Sequence, residues 1–279
     1  MKRVSKLSSF MALQALLGLT ACVGTPAAYE PQAVRPAPPH HGYLSREQLQ
    51  SLAADIPAPP AAGSTEEAAD RALSDTYRVL ENTDRWLLAT SHAEVRMPFA
   101  LQHFDCTLGV VFNPANNSTP ATARLMHRLF EDAEASSTLV KLRAYRARPI
   151  ADDRERAACQ RFPEAGRASP SYPSGSAAVA GVYGEAMAAI APEHADGARR
   201  IGQQIAISRV VCAMHYPQDA KIGYQMGQAT FALAAQTPEF QADLALAREE
   251  YAALKAKAET NPGCAAERHA LSMTQDIRL

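Results

Sequence analysis

The sequence has few aromatic residues, 6% of 279, with a single Trp and only 14 Gly. A sheet-rich fold draws on aromatic and β-branched residues, so a chain this rich in Ala leans towards helix. It carries no excess charge of either sign, 28 Lys and Arg standing against 29 Asp and Glu. A near-neutral surface is a poor match for a phosphate backbone, which argues against a nucleic-acid partner. After the N-terminus no apolar run approaches the ~20 residues that a spanning helix needs, which excludes a multi-span membrane protein. Internal repeats and heptads are absent. Cysteines number five, and no two of them have C-x-x-C spacing, so zinc and thioredoxin-like readings have little support. H-E-x-x-H, R-H-G, C-x5-R and a Walker loop are missing too. The 47% hydrophobic content is enough for one sizeable core.

What is present begins with an export signal. Lys2, Arg3 and Lys6 form a basic start, Phe10 to Leu19 a short apolar stretch, and Leu19-Thr20-Ala21-Cys22 resembles a bacterial lipobox. Residues 1–21 read as a lipoprotein signal peptide, with Cys22 acylated as the mature N-terminus. Removing three basic residues leaves 25 against 29 acidic ones, a net of −4. Val23 follows Cys22, so no aspartate marks inner-membrane retention. The expected location is the periplasmic face of a bacterial membrane, the outer one by this reasoning, held by the lipid alone. Residues 24–62 contain eight of the nineteen prolines, and residues 22–42 read as a Pro-rich tether in which His40 and His41 are solvated. Cys106, Cys159, Cys212 and Cys264 remain, and in an oxidising compartment they allow three disulfide connectivities among which sequence does not choose.

From Tyr43 to the C-terminus the pattern is one helical domain. Ser64 followed by Glu67 fits a capping box that opens a helix running to Leu80. Apolar residues recur at three and four over 85–95, 98–109, 120–145, 176–191, 196–214, 218–235 and 238–258, which predicts further helices. Ile150 to Tyr172 reads as a long charged loop.

Three segments carry chemistry. Lys141 and Arg148 are seven apart, so one helix would present both to an anion before Pro149 ends it, with Arg143 and Arg146 pointing elsewhere. Pro173-Ser174-Gly175-Ser176 opens an Ala-rich helix, where free N–H groups and the helix dipole suit a phosphate, or where Ser176 simply caps the helix. Ser208 and His215 are also seven apart, and Asp219 lies four beyond His215, within reach of one ring nitrogen.

Together these read K-x6-R-P, P-S-G and S-R-x5-H-x3-D, ten fixed residues in order. The set resembles the signature of the type 2 phosphatidic acid phosphatase superfamily, and most closely the class A bacterial non-specific acid phosphatases. The resemblance extends from about Tyr43 to the C-terminus through the Pro-rich opening, Cys106-Thr107-Leu108-Gly109 and Ser171-Tyr172. It implies an all-α, single-domain bundle of the acid phosphatase and vanadium haloperoxidase type, acting on a phosphorylated small molecule without a metal or other cofactor. His215 is then the nucleophile that forms a phosphohistidine and Asp219 its orienting acid. Lys141, Arg148, Ser174, Gly175 and Arg209 are the phosphate ligands. One position departs from the pattern. The family's turn reads P-S-G-His, with the His protonating the leaving alcohol, whereas Ser176 stands there in this chain. The alternative expectation is therefore a chain that binds phosphate or a phosphorylated ligand without efficient turnover.

Overall fold

The computed structural model describes residues 40–161, 163–277 and 279. The signal peptide, Cys22 and most of the tether lie outside the described residues. Among those described there is no strand, and the chain is all-helical. The helices are α1 (Arg46–Ala54), α2 (Thr65–Thr76), α3 (Asp84–Ser91), α4 (Asp105–Leu108), α5 (Pro120–Lys141), α6 (Pro149–Asp152), α7 (Glu164–Arg167), α8 (Gly175–Ile190), α9 (Ala195–Val211), α10 (Pro217–Ala234), α11 (Pro238–Lys257) and α12 (Cys264–Ser272). Short 3-10 turns extend α2 over Tyr77–Leu80 and precede α4 over Phe99–Phe104.

The centre of the bundle is α8. Its sequence, GSAAVAGVYGEAMAAI, is apolar on every side, and such a helix is stable only when surrounded. α9 and α10 pack along it most extensively, with α5 on a further side. Small residues let the backbones touch: a Cβ on Gly227 would stand 2.0 Å from the Ala178 carbonyl, and one on Gly223 would stand 2.3 Å from that of Ser174. α10 is thereby pressed against the first turn of α8. α5 turns Leu125, Met126, Leu129, Ala133 and Val140 inward, and each large apolar side chain so buried contributes about 1.5–3 kcal/mol. Its exposed N–H groups are met by α11, where the Glu250 carboxylate accepts from Ala121 N and Thr122 N at 2.7 and 2.8 Å.

Two disulfides settle the connectivity that the sequence left open. Cys106 joins Cys264, tying α4 to α12, and Cys159 joins Cys212, tying the loop after α6 to the end of α9. The expected helix from Ser64 is present, with Ser64 Oγ accepting from Glu67 N at 3.1 Å. Several expectations need correction. Gly42 and its neighbours are not a solvated tether: His40 meets the buried Asp132 at 2.8 Å, and Asp132 also accepts from Tyr43 N and Leu44 N. The helix expected over 120–145 stops at Lys141. Arg143 there reaches back to the Ala53 and Ile56 carbonyls, and the residues approaching Pro149 favour extended backbone. α1 and α12 were not anticipated, and the loop from Ile150 to Tyr172 contains α6 and α7. No helix among the described residues is long and apolar enough to cross a membrane.

Candidate active site

The first turn of α8 forms one wall. Ser174 is its N-cap, with extended backbone, and its Oγ accepts from Ala177 N at 3.2 Å. Its own N–H donates to the Asp219 carbonyl at 3.0 Å, so the turn is fastened to α10. Gly175 is the first helical residue, and the leading N–H groups of a helix have no acceptor within it. They face outward with the positive end of the dipole, which suits an anion. Ser176 is half-buried and does not cap the helix.

His215 comes from the junction of α9 and α10. α9 ends at Val211, Ala213 takes a left-handed conformation at φ 57°, and Pro217 is the first residue of α10. The turn closes where the Arg209 carbonyl accepts from Met214 N and His215 N. Ser208 and His215 therefore share no helical face. Ser208 Oγ instead accepts from Arg85 Nη1 at 2.9 Å and meets His92 Nδ1 at 2.8 Å.

The His215 ring is fixed from one side. Its Nδ1 lies 2.8 Å from the Ser171 carbonyl and so carries the hydrogen. Nε2 is left with its lone pair, which accepts from Arg148 Nη1 at 3.1 Å. Asp219 does not touch the ring, contrary to the four-residue spacing argument. Position 219 is the third residue of α10, and its carboxylate turns back to accept from Tyr216 N at 3.0 Å. It also accepts from Ser171 Oγ at 2.6 Å and Arg146 Nη1 at 2.7 Å. Ser171 thus stands between Asp219 and His215, with its hydroxyl 3.3 Å from Nδ1. Arg146, expected to point away, joins Asp219 to Asp70 at 2.7 Å and lies over the Tyr216 ring. Burial pushes the Asp219 carboxyl up, and the Arg146 guanidinium opposes that shift.

Three cations act on His215: Arg148, in contact with Nε2, and Lys141 and Arg209, near enough to repel a charge on the ring. Arg148 is the N-cap of α6 rather than part of α5, so it meets Lys141 through a loop and not along one helix. It also donates to the Met214 carbonyl at 2.8 Å and to Ser169 Oγ at 3.1 Å. Arg209, in the last turn of α9, donates to Gln160 Oε1 at 3.3 Å, while its Nε and Nη1 are buried with no hydrogen-bond partner. Burial lowers all three: Lys141 to about 8, Arg148 to about 10 and Arg209 to about 10. Repulsion from Arg148 adds to the effect on Lys141 and Arg209. His215 is held well below its ordinary value by burial, then by Arg148, Lys141 and Arg209, so its ring is neutral at pH 7. Crowded cations with two unmet guanidinium donors have the chemistry to accept an oxyanion. No cluster of three or more His, Cys, Asp or Glu suited to a metal ion occurs among the described residues.

Local sequence singles out Lys141, Arg148, Ser174, Gly175, His215 and Asp219, and the family resemblance adds Arg209; the structure brings them near one another around the start of α8 and the junction of α9 and α10. Ser171, Arg146, Asp70 and Gln160 had no assigned part in that reading. Ser171-Tyr172 was visible only as a familiar dipeptide, and Asp70 lies in a different helix far along the chain.

No protein-family model matches the chain. It is 28% identical over 202 residues to an acid phosphatase of Zymomonas mobilis, an alignment covering 72% of this chain and 76% of that protein. A non-specific acid phosphatase of Providencia stuartii is 27% identical over 214 residues, covering 76% and 86%. Another from Salmonella typhi is 27% identical over 172 residues, covering 61% and 68%. These similarities support the acid phosphatase family for this all-helical chain and, with it, a phosphatase activity.

Proposed function

We propose that the protein hydrolyses phosphate monoesters, and phosphoanhydrides where the leaving group allows, through a phosphohistidine on His215, with no metal. The observation that carries this reading is the neutral His215 whose Nε2 meets Arg148, with Lys141 and Arg209 also acting on the ring and two donors of Arg209 unmet. The substrate's phosphate takes the hydrogen bonds of Arg148 and Arg209, the ammonium of Lys141, the Ser174 hydroxyl and the Gly175 N–H. Nε2, released from Arg148, attacks phosphorus while the cations offset charge on the equatorial oxygens. Nδ1–H stays on the Ser171 carbonyl, and the ring, positive once phosphorylated, is steadied by Asp219 through Ser171. Water then attacks the phosphohistidine and frees His215. Ser176 cannot act as a general acid near neutral pH, so this position is altered relative to the family pattern. The working location follows from the N-terminal pattern: an exported chain anchored by Cys22 on the periplasmic face of the outer membrane. Two disulfides suit that oxidising compartment.

The test is a rapid quench with an aryl phosphate. Wild type should yield an acid-labile, base-stable phosphoenzyme and release phosphate. His215→Ala should do neither, and chelators should leave both unchanged. Protein that holds phosphate but releases none from any ester would be a binding protein. Chelator-sensitive turnover surviving His215→Ala would reject the mechanism.

A further inference from the structure

With Ser176 unable to protonate a departing alkoxide, the site needs a proton from elsewhere. Among the histidines that lie nearest to consideration, His103 is committed to the Glu94 carbonyl at 2.7 Å. His127 is exposed and pairs with Glu131 at 3.9 Å on the outer side of α5. His194 precedes α9, whose 17 residues separate it from Arg209 by most of a helix about 25 Å long.

α5 supplies another group. Glu134, Ser137 and Lys141 recur at three and four, so they share one face of that helix. This face meets the first residue of α8. A Cβ built on Gly175 would stand 2.9 Å from Glu134 Oε1, 3.1 Å from Ser137 Oγ and 3.7 Å from Lys141 Nζ. The carboxyl of Glu134 therefore lies against the phosphate turn, one residue from Ser176 and beside a phosphate-binding ammonium. Glu134 is among the charges that act on Lys141. His215 comes from the junction of α9 and α10, and Glu134 from α5. In-line displacement calls for a donor on the side of phosphorus from which the leaving oxygen departs.

We propose that Glu134 donates the leaving-group proton in this enzyme, a role that rests on the phosphatase reading above. As the Nε2–P bond forms and the bridging P–O bond breaks, the electron pair passes to the bridging oxygen. That oxygen takes the proton of the Glu134 carboxylic acid and leaves as the alcohol. In the second half, the Glu134 carboxylate takes a proton from the attacking water as the new O–P bond forms. The P–Nε2 pair returns to His215, and phosphate departs with Glu134 again an acid.

The experiment measures kcat/KM for phosphate esters whose leaving groups run from dinitrophenol to simple alcohols. Wild type, Glu134→Gln and the double variant Glu134→Gln, Ser176→His are compared, with quench labelling of His215 by the dinitrophenyl ester. Glu134→Gln should lower alkyl ester turnover by about 10²–10⁴-fold more than dinitrophenyl ester turnover, steepening the leaving-group dependence. Adding Ser176→His should recover part of the alkyl loss. An equal loss on all esters would assign Glu134 to holding Lys141, and no loss would place the donor elsewhere; either result overturns the proposal. Wild type that forms no phosphoenzyme would instead strike the phosphatase reading itself. Should Glu134→Gln fail to fold, Glu134→Asp, which withdraws the carboxyl by one methylene, must show the same steepening to a smaller degree.

Discussion

Two arginines are buried within the same part of the bundle, and they are used in opposite ways. Arg85 is 0% exposed and Arg209 is 4% exposed, and burial lowers each to about 10. Arg85 spends every nitrogen on the protein: Nε on Thr274 Oγ1, Nη1 on Ser208 Oγ and Nη2 on the Gln204 carbonyl. Ser208 is the residue just before Arg209, yet Arg209 leaves Nε and Nη1 unmet. Burial and a displaced pKa are therefore common to a structural cation and to one facing a ligand. Completeness of hydrogen bonding separates these two, although Arg146 Nε and Nη2 and Arg156 Nε are also buried without a partner. A satisfied guanidinium fastens α3 to α9 and to the segment after α12. On the proposed mechanism, the unmet donors of Arg209 are the ones a phosphate would take.

The largest test of that contrast exchanges each arginine for Met. Arg209→Met should lower kcat/KM by about 10²–10³, the usual cost of removing one donor to a developing oxyanion. Its thermal midpoint should hold or rise, because an uncompensated buried charge has gone. Arg85→Met should do the reverse, costing about 2–5 kcal/mol in stability through the oxygens it strands, while the folded fraction keeps its turnover. Thermal melts and initial rates on the same samples read both, and parallel losses of stability would erase the distinction.

The two disulfides sharpen it next. Removing either should cost about 2–5 kcal/mol. Cys159 and Cys212 flank Gln160 and the His215 turn, so replacing both by Ser should also lower kcat/KM. Replacing Cys106 and Cys264 should leave the rate of the folded protein near wild type. Phosphate should raise the melting temperature less in the first pair than in the second.

The smallest effect is in pH. Lys141 loses its charge as pH rises through about 8, so phosphate should bind about tenfold more weakly at pH 9 than at pH 7. Its folded value lies below the unfolded one of 10.5, so between these values the unfolded chain holds the extra proton. Lys141's contribution to stability therefore rises with pH in the window where affinity falls. Calorimetry with and without phosphate, on wild type and Lys141→Met, checks whether the two trends separate.

The helices around the candidate site are legible because α5, α9 and α10 have apolar periods, α8 is an unbroken Ala-rich apolar run, and Pro120, Ser174 and Pro217 give clear start signals. α1 is hard to read from sequence although Ser45 and Gln48 form a capping box, because its nine residues are too few to show a period. The gathering of the site was less legible. Helical spacing put Lys141 with Arg148 and Ser208 with His215, and both arguments fail because each helix ends between the two residues. Lys141 and Arg148 still meet, through tertiary contacts that fold the loop back. Asp219 stands out by its distance from His215, but its partners Ser171 and Arg146, and Asp70 beyond Arg146, belong to other segments, and no local pattern joins them.

The contact of α8 with α10 has a consequence for how this pocket can change. Gly223 and Gly227 leave only main chain between the helix that begins the phosphate turn and the helix that follows the nucleophile. If His215 attacks phosphorus as proposed, the span between its turn and the start of α8 is gauged by backbone thickness, which no side-chain exchange on that seam can shrink and any larger residue would widen.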